Sequence, residues 1–215
     1  MEALILYFVL FFPSVFASAG ALPEVESIPY SMIRESTRFL TYTLPSLVLI
    51  WYLVTDKRGV RAIRGLKPEA GDFKPFAIGL ICLICIGFGI SYLVTFLSET
   101  LGLPIPPQME SPSTILGWTV LTIACLGIGY LEETYFRYYF LSRLKSAIPQ
   151  TSLRIILSTG LFSLCHLYEG PLGILNSVLA GILLSVLFCR YRSLHGIAWA
   201  HGAYNLFVYA IGTVL

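Results

Sequence analysis

One short segment of the sequence combines three charged side chains with apolar surroundings. Glu132, Glu133 and Arg137 lie in the run 114–142, which is otherwise free of charged residues. On a helix, Glu133 and Arg137 are four residues apart and can form an ion pair, whereas Glu132 points about 100° away. Glu132 then has no partner in its own helix, and such a carboxylate is a candidate general base or metal ligand. A buried network that only locks helices together is the alternative interpretation.

Two of the three histidines add titratable groups at a comparable depth. Counted along helices from one side of a membrane, Glu132, His166 and His201 lie roughly 15, 18 and 10 Å deep, at a rise of about 1.5 Å per residue. Asn205 follows His201 by four residues and shares its helix face. Three helices therefore deliver one Glu, two His and one Asn to the same layer. His195, at the end of its run, is interpreted as an interfacial residue.

This set has the parts for peptide hydrolysis. Glu132 with His166 can take a proton from a water molecule and direct it at a peptide carbonyl. His201 and Asn205 can donate hydrogen bonds to the developing oxyanion. Serine catalysis is disfavoured because the sequence has no G-x-S-x-G, and a Cys–His pair because Cys165 points about 100° away from His166 on a helix. An aspartyl protease is excluded because no Asp lies in an apolar run.

The composition identifies the environment of these residues. The chain has 215 residues, of which 56% are hydrophobic and 12% are charged, against about 25% charged in an ordinary soluble domain. A soluble globule could not hide that much apolar surface from water. We therefore predict an all-α polytopic transmembrane helical bundle. The net charge of +2 gives no reason to expect a nucleic-acid partner, and the Cys82–Cys85 pair is interpreted as packing.

Seven apolar runs predict about seven spans, since most approach the ~20 residues that cross ~30 Å of hydrocarbon. Pro45 is expected to kink the second run. Ala17-Ser18-Ala19 resembles a signal-peptidase site, but the leading segment has Glu2 and no basic residue, so we expect a retained span; cleavage would leave six. The runs are 3–19, 39–54, 76–97, 114–142, 153–168, 172–189 and 194–215.

The segments between the runs alternate in charge. One set carries 11 Lys and Arg residues, and the other set carries two. The positive-inside rule places the first set in the cytoplasm. With seven spans, the N-terminus is then cytoplasmic and the C-terminus lies outside. The cationic set comprises 55–75, 143–154 and 190–193, and the other set comprises 20–38, 98–113 and 169–171.

Three motifs occur in order on three separate runs: Glu132-Glu133-x-x-x-Arg137, Phe162-x-x-x-His166 and His201-x-x-x-Asn205. They resemble the motifs of the CPBP family of intramembrane proteases, the CAAX prenyl protease or Abi type. The stretch 193–205 also resembles the sequence that precedes the last motif in that family. The resemblance covers roughly 114–210. We therefore expect N-terminal spans without a recognised motif in 1–113 and a catalytic helical core in 114–215, within one integral membrane domain.

The resemblance implies a role for each motif residue and a helical bundle around a water-filled cavity that opens toward the cytoplasmic leaflet. Family members are described both as metalloproteases and as glutamate-type proteases. We expect no cofactor; the alternative is a divalent metal such as zinc, held by Glu132, His166 and His201. The implied roles are Glu132 as the catalytic glutamate, His166 as its partner on the water, His201 and Asn205 on the oxyanion side, and Glu133 with Arg137 as a supporting pair.

These observations predict an intramembrane endopeptidase that cuts a peptide bond near the membrane. Its expected partners are the lipid bilayer and a peptide or membrane-anchored protein, cut at a C-terminal tail or anchor, and its expected location is a prokaryotic inner or plasma membrane. A proton-coupled transporter is one alternative, because Glu, Arg and His inside spans are its usual parts, although no internal repeat is apparent. A non-catalytic immunity or assembly protein on the same scaffold is the other.

Overall fold

The computed structural model describes residues 2–12, 27–58, 67–101 and 108–211. The tripeptide Ala17-Ser18-Ala19, with its resemblance to a signal-peptidase site, lies outside these residues. The elements in chain order are α1 (Glu2–Leu10), β1 (Ser27–Ile28), α2 (Met32–Arg38), α3 (Leu44–Arg58), α4 (Phe73–Leu101), β2 (Gln108–Met109), α5 (Ile115–Glu133), α6 (Leu141–Leu144), α7 (Thr151–Leu164), α8 (Gly170–Tyr191) and α9 (Leu194–Ile211).

Irregular helical turns connect several of these elements, and the all-α prediction is confirmed. A π-helical segment, Phe39–Thr43, joins α2 to α3, and another, Thr134–Phe140, joins α5 to α6. Short 3₁₀ turns precede α4 and α8. The two-residue strands β1 and β2 pair in parallel and tie the segment before α2 to the segment before α5.

Four helical stretches of the described chain are long and apolar enough, by length and composition, to cross a membrane. The chain is an integral membrane protein, and helix faces such as that of α4, with Phe88 and Tyr92 exposed, are suited to contact lipid. α1, α7 and α9 comprise 9, 14 and 18 residues, so the count of seven spans stays a prediction. The four stretches are Met32–Val54, Ala70–Leu101, Ile115–Leu144 and Leu167–Tyr191.

The helix of the second predicted run begins seven residues earlier than predicted. It starts at Met32, because the Ser31 side chain caps it by accepting a hydrogen bond from the Arg34 backbone N–H. The π-helical turn that follows brings the Leu44 N–H to the Phe39 carbonyl. This wider turn lies directly before Pro45, where the missing proline N–H interrupts the α-helical ladder.

The early start of α2 buries one carboxylate, Glu35, in a segment that the sequence had assigned to an outer loop. Glu35 is 1% exposed and pairs with Arg38 at 2.9 Å and with Arg34 at 3.2 Å. The segment 20–38 is therefore not a loop over its whole length. Glu35 joins Glu132 and Glu133 as a carboxylate within a helical stretch that is long and apolar enough to cross a membrane.

α5 and α9 approach each other closely at two glycines. A Cβ atom at Gly129 would lie 2.8 Å from the Ala198 carbonyl oxygen, and one at Gly202 would lie 2.9 Å from the Leu126 Cα. Real Cβ atoms do not come this close to backbone, so the crossing requires residues without side chains. The crossing lies immediately before Glu132 in α5 and beside His201 in α9.

Candidate active site

Glu133 binds two side chains at once in the interior of the bundle. Its Oε1 accepts a hydrogen bond from Arg137 Nη1 at 2.9 Å and lies 2.8 Å from His201 Nδ1. The side chains of Glu133 and Arg137 are 0% exposed, and His201 is buried. Charges removed from water require such partners. The structure thus contains the Glu133–Arg137 pair that the spacing predicts and adds His201, which the spacing does not predict.

Arg137 connects this pair to two further helices. Its Nη2 donates a hydrogen bond to the Gly181 carbonyl of α8 at 3.3 Å. Its guanidinium carbon lies 4.4 Å from the centre of the Phe162 ring of α7, in cation–π geometry. The π-helical segment that carries Arg137 is therefore fixed to α7 and α8, and Glu133 is fixed with it.

Glu132 faces the other nitrogen of the same imidazole. Its Oε2 lies 3.5 Å from His201 Nε2, and its side chain is 13% exposed. Two successive carboxylates of α5 thus face the two ring nitrogens of one histidine in α9. When Nδ1–H donates to Glu133, Nε2 can donate as well only if the ring carries both protons.

The sequence predicted that His166 lies inside a helix. In the structure, it lies in the turn beyond the end of α7. α7 ends at Leu164, and a 3₁₀ turn leads to Gly170, whose φ of 78° lets the chain reverse into α8. His166 Nδ1 lies 2.9 Å from the Phe162 carbonyl oxygen. When Nδ1–H donates to that carbonyl, Nε2 is an acceptor and can take a proton.

One cavity of about 180 Å³ collects all the residues predicted to take part in catalysis. Glu132 reaches it from α5, and His166 reaches it from the turn between α7 and α8. His201 and Asn205 reach it from α9. Three parts of the bundle therefore bring an acid–base set and an amide to a shared space large enough for several water molecules.

Several other polar residues line the same cavity and were not predicted. Asn176 of α8 is 7% exposed, and its Oδ1 has no hydrogen-bond partner within the described structure. Its Nδ2 lies 3.5 Å from the Tyr204 hydroxyl. Asn176 is a polar residue inside the apolar run 172–189, and this pattern could have identified it from the sequence. Arg38 and Glu169 also line the cavity, but both fell in segments interpreted as loops.

The alternative zinc site at Glu132, His166 and His201 stays a prediction. Among residues 2–12, 27–58, 67–101 and 108–211, no three His, Cys, Asp or Glu side chains are grouped to hold a metal ion. His201 uses Nδ1 for Glu133 and turns Nε2 toward Glu132. His166 has its Nδ1 against a backbone carbonyl.

A protein-family model matches the C-terminal part of the chain. Residues 114–207 match the model described as type II CAAX prenyl endopeptidase Rce1-like. The matched segment begins one residue before α5, ends within α9 and includes all three sequence motifs. No curated protein and no solved structure matches the chain.

Proposed function

We propose that this chain, whose residues 114–207 match the Rce1-like model of type II CAAX prenyl endopeptidases, is an intramembrane endopeptidase that uses a glutamate-activated water. The observation that carries the proposal is the shared cavity of Glu132, His166, His201 and Asn205. The matched family model describes endopeptidases and so supports peptide hydrolysis as the type of reaction. The four side chains supply the groups that peptide hydrolysis requires.

The first step is the attack of water on the peptide carbonyl. The Glu132 carboxylate accepts a proton from a water molecule that His166 Nε2 helps to orient. The water oxygen forms a bond to the carbonyl carbon, and the carbonyl π electrons move to the oxygen. The product of this step is a tetrahedral intermediate with one negative charge and a protonated Glu132.

His201 and Asn205 stabilise that charge. His201 donates from Nε2 when both of its ring nitrogens carry a proton, and Asn205 donates from its amide. Arg137 acts on Glu133, and Glu133 acts on His201, so both are positioning residues that hold the imidazole in one orientation. The intermediate then collapses: the C–N bond breaks, and the proton on Glu132 passes to the leaving amine.

The proposed substrate is a C-terminal tail or anchor of a membrane-associated protein, bound from the bilayer. The apolar helix faces described above keep the site within the membrane, where such a segment is concentrated. We propose that catalysis needs no metal, since the carboxylate and the two imidazoles are arranged for hydrogen bonding.

The direct test is the Glu132→Gln variant in liposomes that contain a fluorogenic, prenylated CAAX peptide. We expect cleavage to fall by at least ~10²–10⁴-fold, because the amide cannot accept the proton, while the thermal melting temperature stays near that of wild type. Glu99→Gln removes an exposed carboxylate at the end of α4 and is the matched control with full activity. Wild-type cleavage by Glu132→Gln would overturn the proposal. Substrate-dependent proton flux without cleavage would instead favour a transporter.

A further inference from the structure

A second cavity, of about 330 Å³, lies at the end of the bundle where α6 and α8 end and α7 begins. It shares no lining residue with the candidate active site. Leu141 and Phe188 form part of its apolar wall. Within the described residues no carboxylate lines it, and its polar side chains are Ser142, Lys145, Thr151, Arg154 and Arg192.

Arg154 is held in place at this cavity by two hydrogen bonds, and its Nε has no acceptor within the described structure. Its Nη1 donates to the Leu141 carbonyl at 3.2 Å, and its Nη2 donates to Thr151 Oγ1 at 2.8 Å. The Nε atom is buried. A buried donor without a partner is unfavourable, so this group would be satisfied by an acceptor supplied from outside the chain.

Lys145 and Arg192 add two cations that the described chain does not neutralise. Both side chains are exposed, and neither forms an ion pair with the described residues. Arg192 follows the last turn of α8 in a left-handed conformation, with φ of 56°. Three positive charges therefore surround one cavity, and a ligand with negatively charged oxygen atoms would complete it.

The position of the cavity relative to the membrane indicates the class of ligand. The apolar stretches Ile115–Leu144 and Leu167–Tyr191 each end one residue before a cation of the cavity. Side chains at this level meet the headgroup region, where phosphates of lipids lie. Basic pockets between helix ends at this depth are suited to anionic headgroups.

We propose that this cavity is a phosphate-binding site at the membrane surface, occupied by the headgroup of an anionic phospholipid or by a soluble phosphate. Arg154 supplies fixed donors within the pocket, while Lys145 and Arg192 supply charge at its mouth. The site is separate from the proposed catalytic chemistry and does not depend on it.

The test measures thermal stabilisation of the full chain in neutral detergent. Titration with phosphatidylglycerol should raise the melting temperature saturably by several degrees, while zwitterionic phosphatidylcholine should have little effect. Lys145→Gln and Arg192→Gln should each weaken the apparent affinity about fivefold, the effect expected for one basic side chain. Lys145 and Arg192 are exposed, so both variants should retain the fold. Arg154→Gln tests the residue in the interior of the pocket.

Arg190→Gln is the matched control, because it removes one exposed cation from the same end of α8 without touching the cavity lining. Its affinity should stay within twofold of wild type. A saturable shift with inorganic phosphate that has the same variant dependence would identify a soluble ligand and would also support the site. Equal affinities of Lys145→Gln, Arg192→Gln and wild type would overturn the proposal. An equal loss in Arg190→Gln would overturn it as well, since the binding would then reflect general surface charge.

Discussion

At the residue scale, the burial of Glu133 depends on two partners that come from different parts of the sequence. Arg137 is four residues away, and His201 is 68 residues away. Both nitrogen atoms contact the same Oε1, while Oε2 has no hydrogen-bond partner within the described structure. Loss of one member therefore leaves a buried charge that the other members cannot fully compensate.

Glu133→Gln is predicted to lower both stability and activity. Removal of one partner from a buried ion pair destabilises a protein by about 3–5 kcal/mol, which thermal or denaturant unfolding in detergent would measure. The double variant Glu133→Leu/Arg137→Met removes both charges and should recover most of the stability. Its activity should stay low, because His201 would no longer be oriented. Recovery of activity along with stability would assign Glu133 a purely structural role.

Chelation of metal is predicted to leave cleavage unchanged. Because His201 contacts the two glutamates and His166 Nδ1 contacts the Phe162 carbonyl, we expect activity within twofold of the untreated protein after dialysis against EDTA. Peptide cleavage and the metal content of the dialysed protein should be measured on the same sample. A loss of more than tenfold that zinc reverses would show that Glu132, His166 and His201 rearrange into a metal site.

At the element scale, the crossing of α5 and α9 sets the distance between the glutamates and His201. The two backbones touch at Gly129 and Gly202, so the helices come closer than side chains would allow. The π-helical segment Thr134–Phe140 then changes the helical turn directly after Glu133. Such wide turns often occur at functional sites, and this one carries Arg137 toward α7 and α8.

Gly202→Ala is predicted to separate α5 from α9. The added Cβ atom would meet the Leu126 Cα at 2.9 Å and the Cys125 carbonyl oxygen at 3.0 Å. We expect a destabilisation of about 1–3 kcal/mol, as for other overpacked interiors. We also expect kcat to fall by a larger factor than KM changes. The control is Gly89→Ala in α4, where a Cβ atom meets nothing within 4 Å. Similar kinetics for the two variants would contradict this role of the crossing.

At the scale of the whole molecule, the N-terminal half packs against both sides of the matched segment. On one side, the hydroxyls of Tyr135 and Tyr139 bond at 2.6 Å to α1, one to the Ala3 carbonyl and the other to Glu2. On the other side, Phe76 and Phe88 of α4 pack against Trp199 and Phe207 of α9. The division at residue 113 stays a prediction, but the two parts share one packed interior.

Residues 114–215 expressed alone are predicted to be unstable and inactive. The fragment would expose the aromatic residues that contact α1 and α4 and would lose the cavity wall at Arg38. Co-expression of 1–113 with 114–215 should restore both folding and cleavage, measured by monodisperse elution in detergent and by peptide hydrolysis. An active, monodisperse 114–215 fragment would show that the N-terminal helices are dispensable.

The sequence by itself predicted the properties that depend on short-range geometry and on composition. The scarcity of charge indicated a membrane environment, and the helical repeat placed Glu133 against Arg137 and left Glu132 facing away. It also predicted the motif residues that line the cavity, because few polar side chains occur inside apolar runs. The early start of α2 was missed, since a segment with Arg34, Glu35 and Arg38 has the composition of a loop.

Only the tertiary structure decided which distant groups meet. Spacing along one helix says nothing about which face packs against a helix 68 residues later, so the Glu133–His201 contact depended on the close crossing at Gly129 and Gly202. The end of α7 before His166 and the burial of Asn176 likewise follow from how α7 and α8 pack. The physical reason is that contacts within a helix are set by its local repeat, whereas contacts between helices are set by complementary surfaces that exist only once the bundle has assembled.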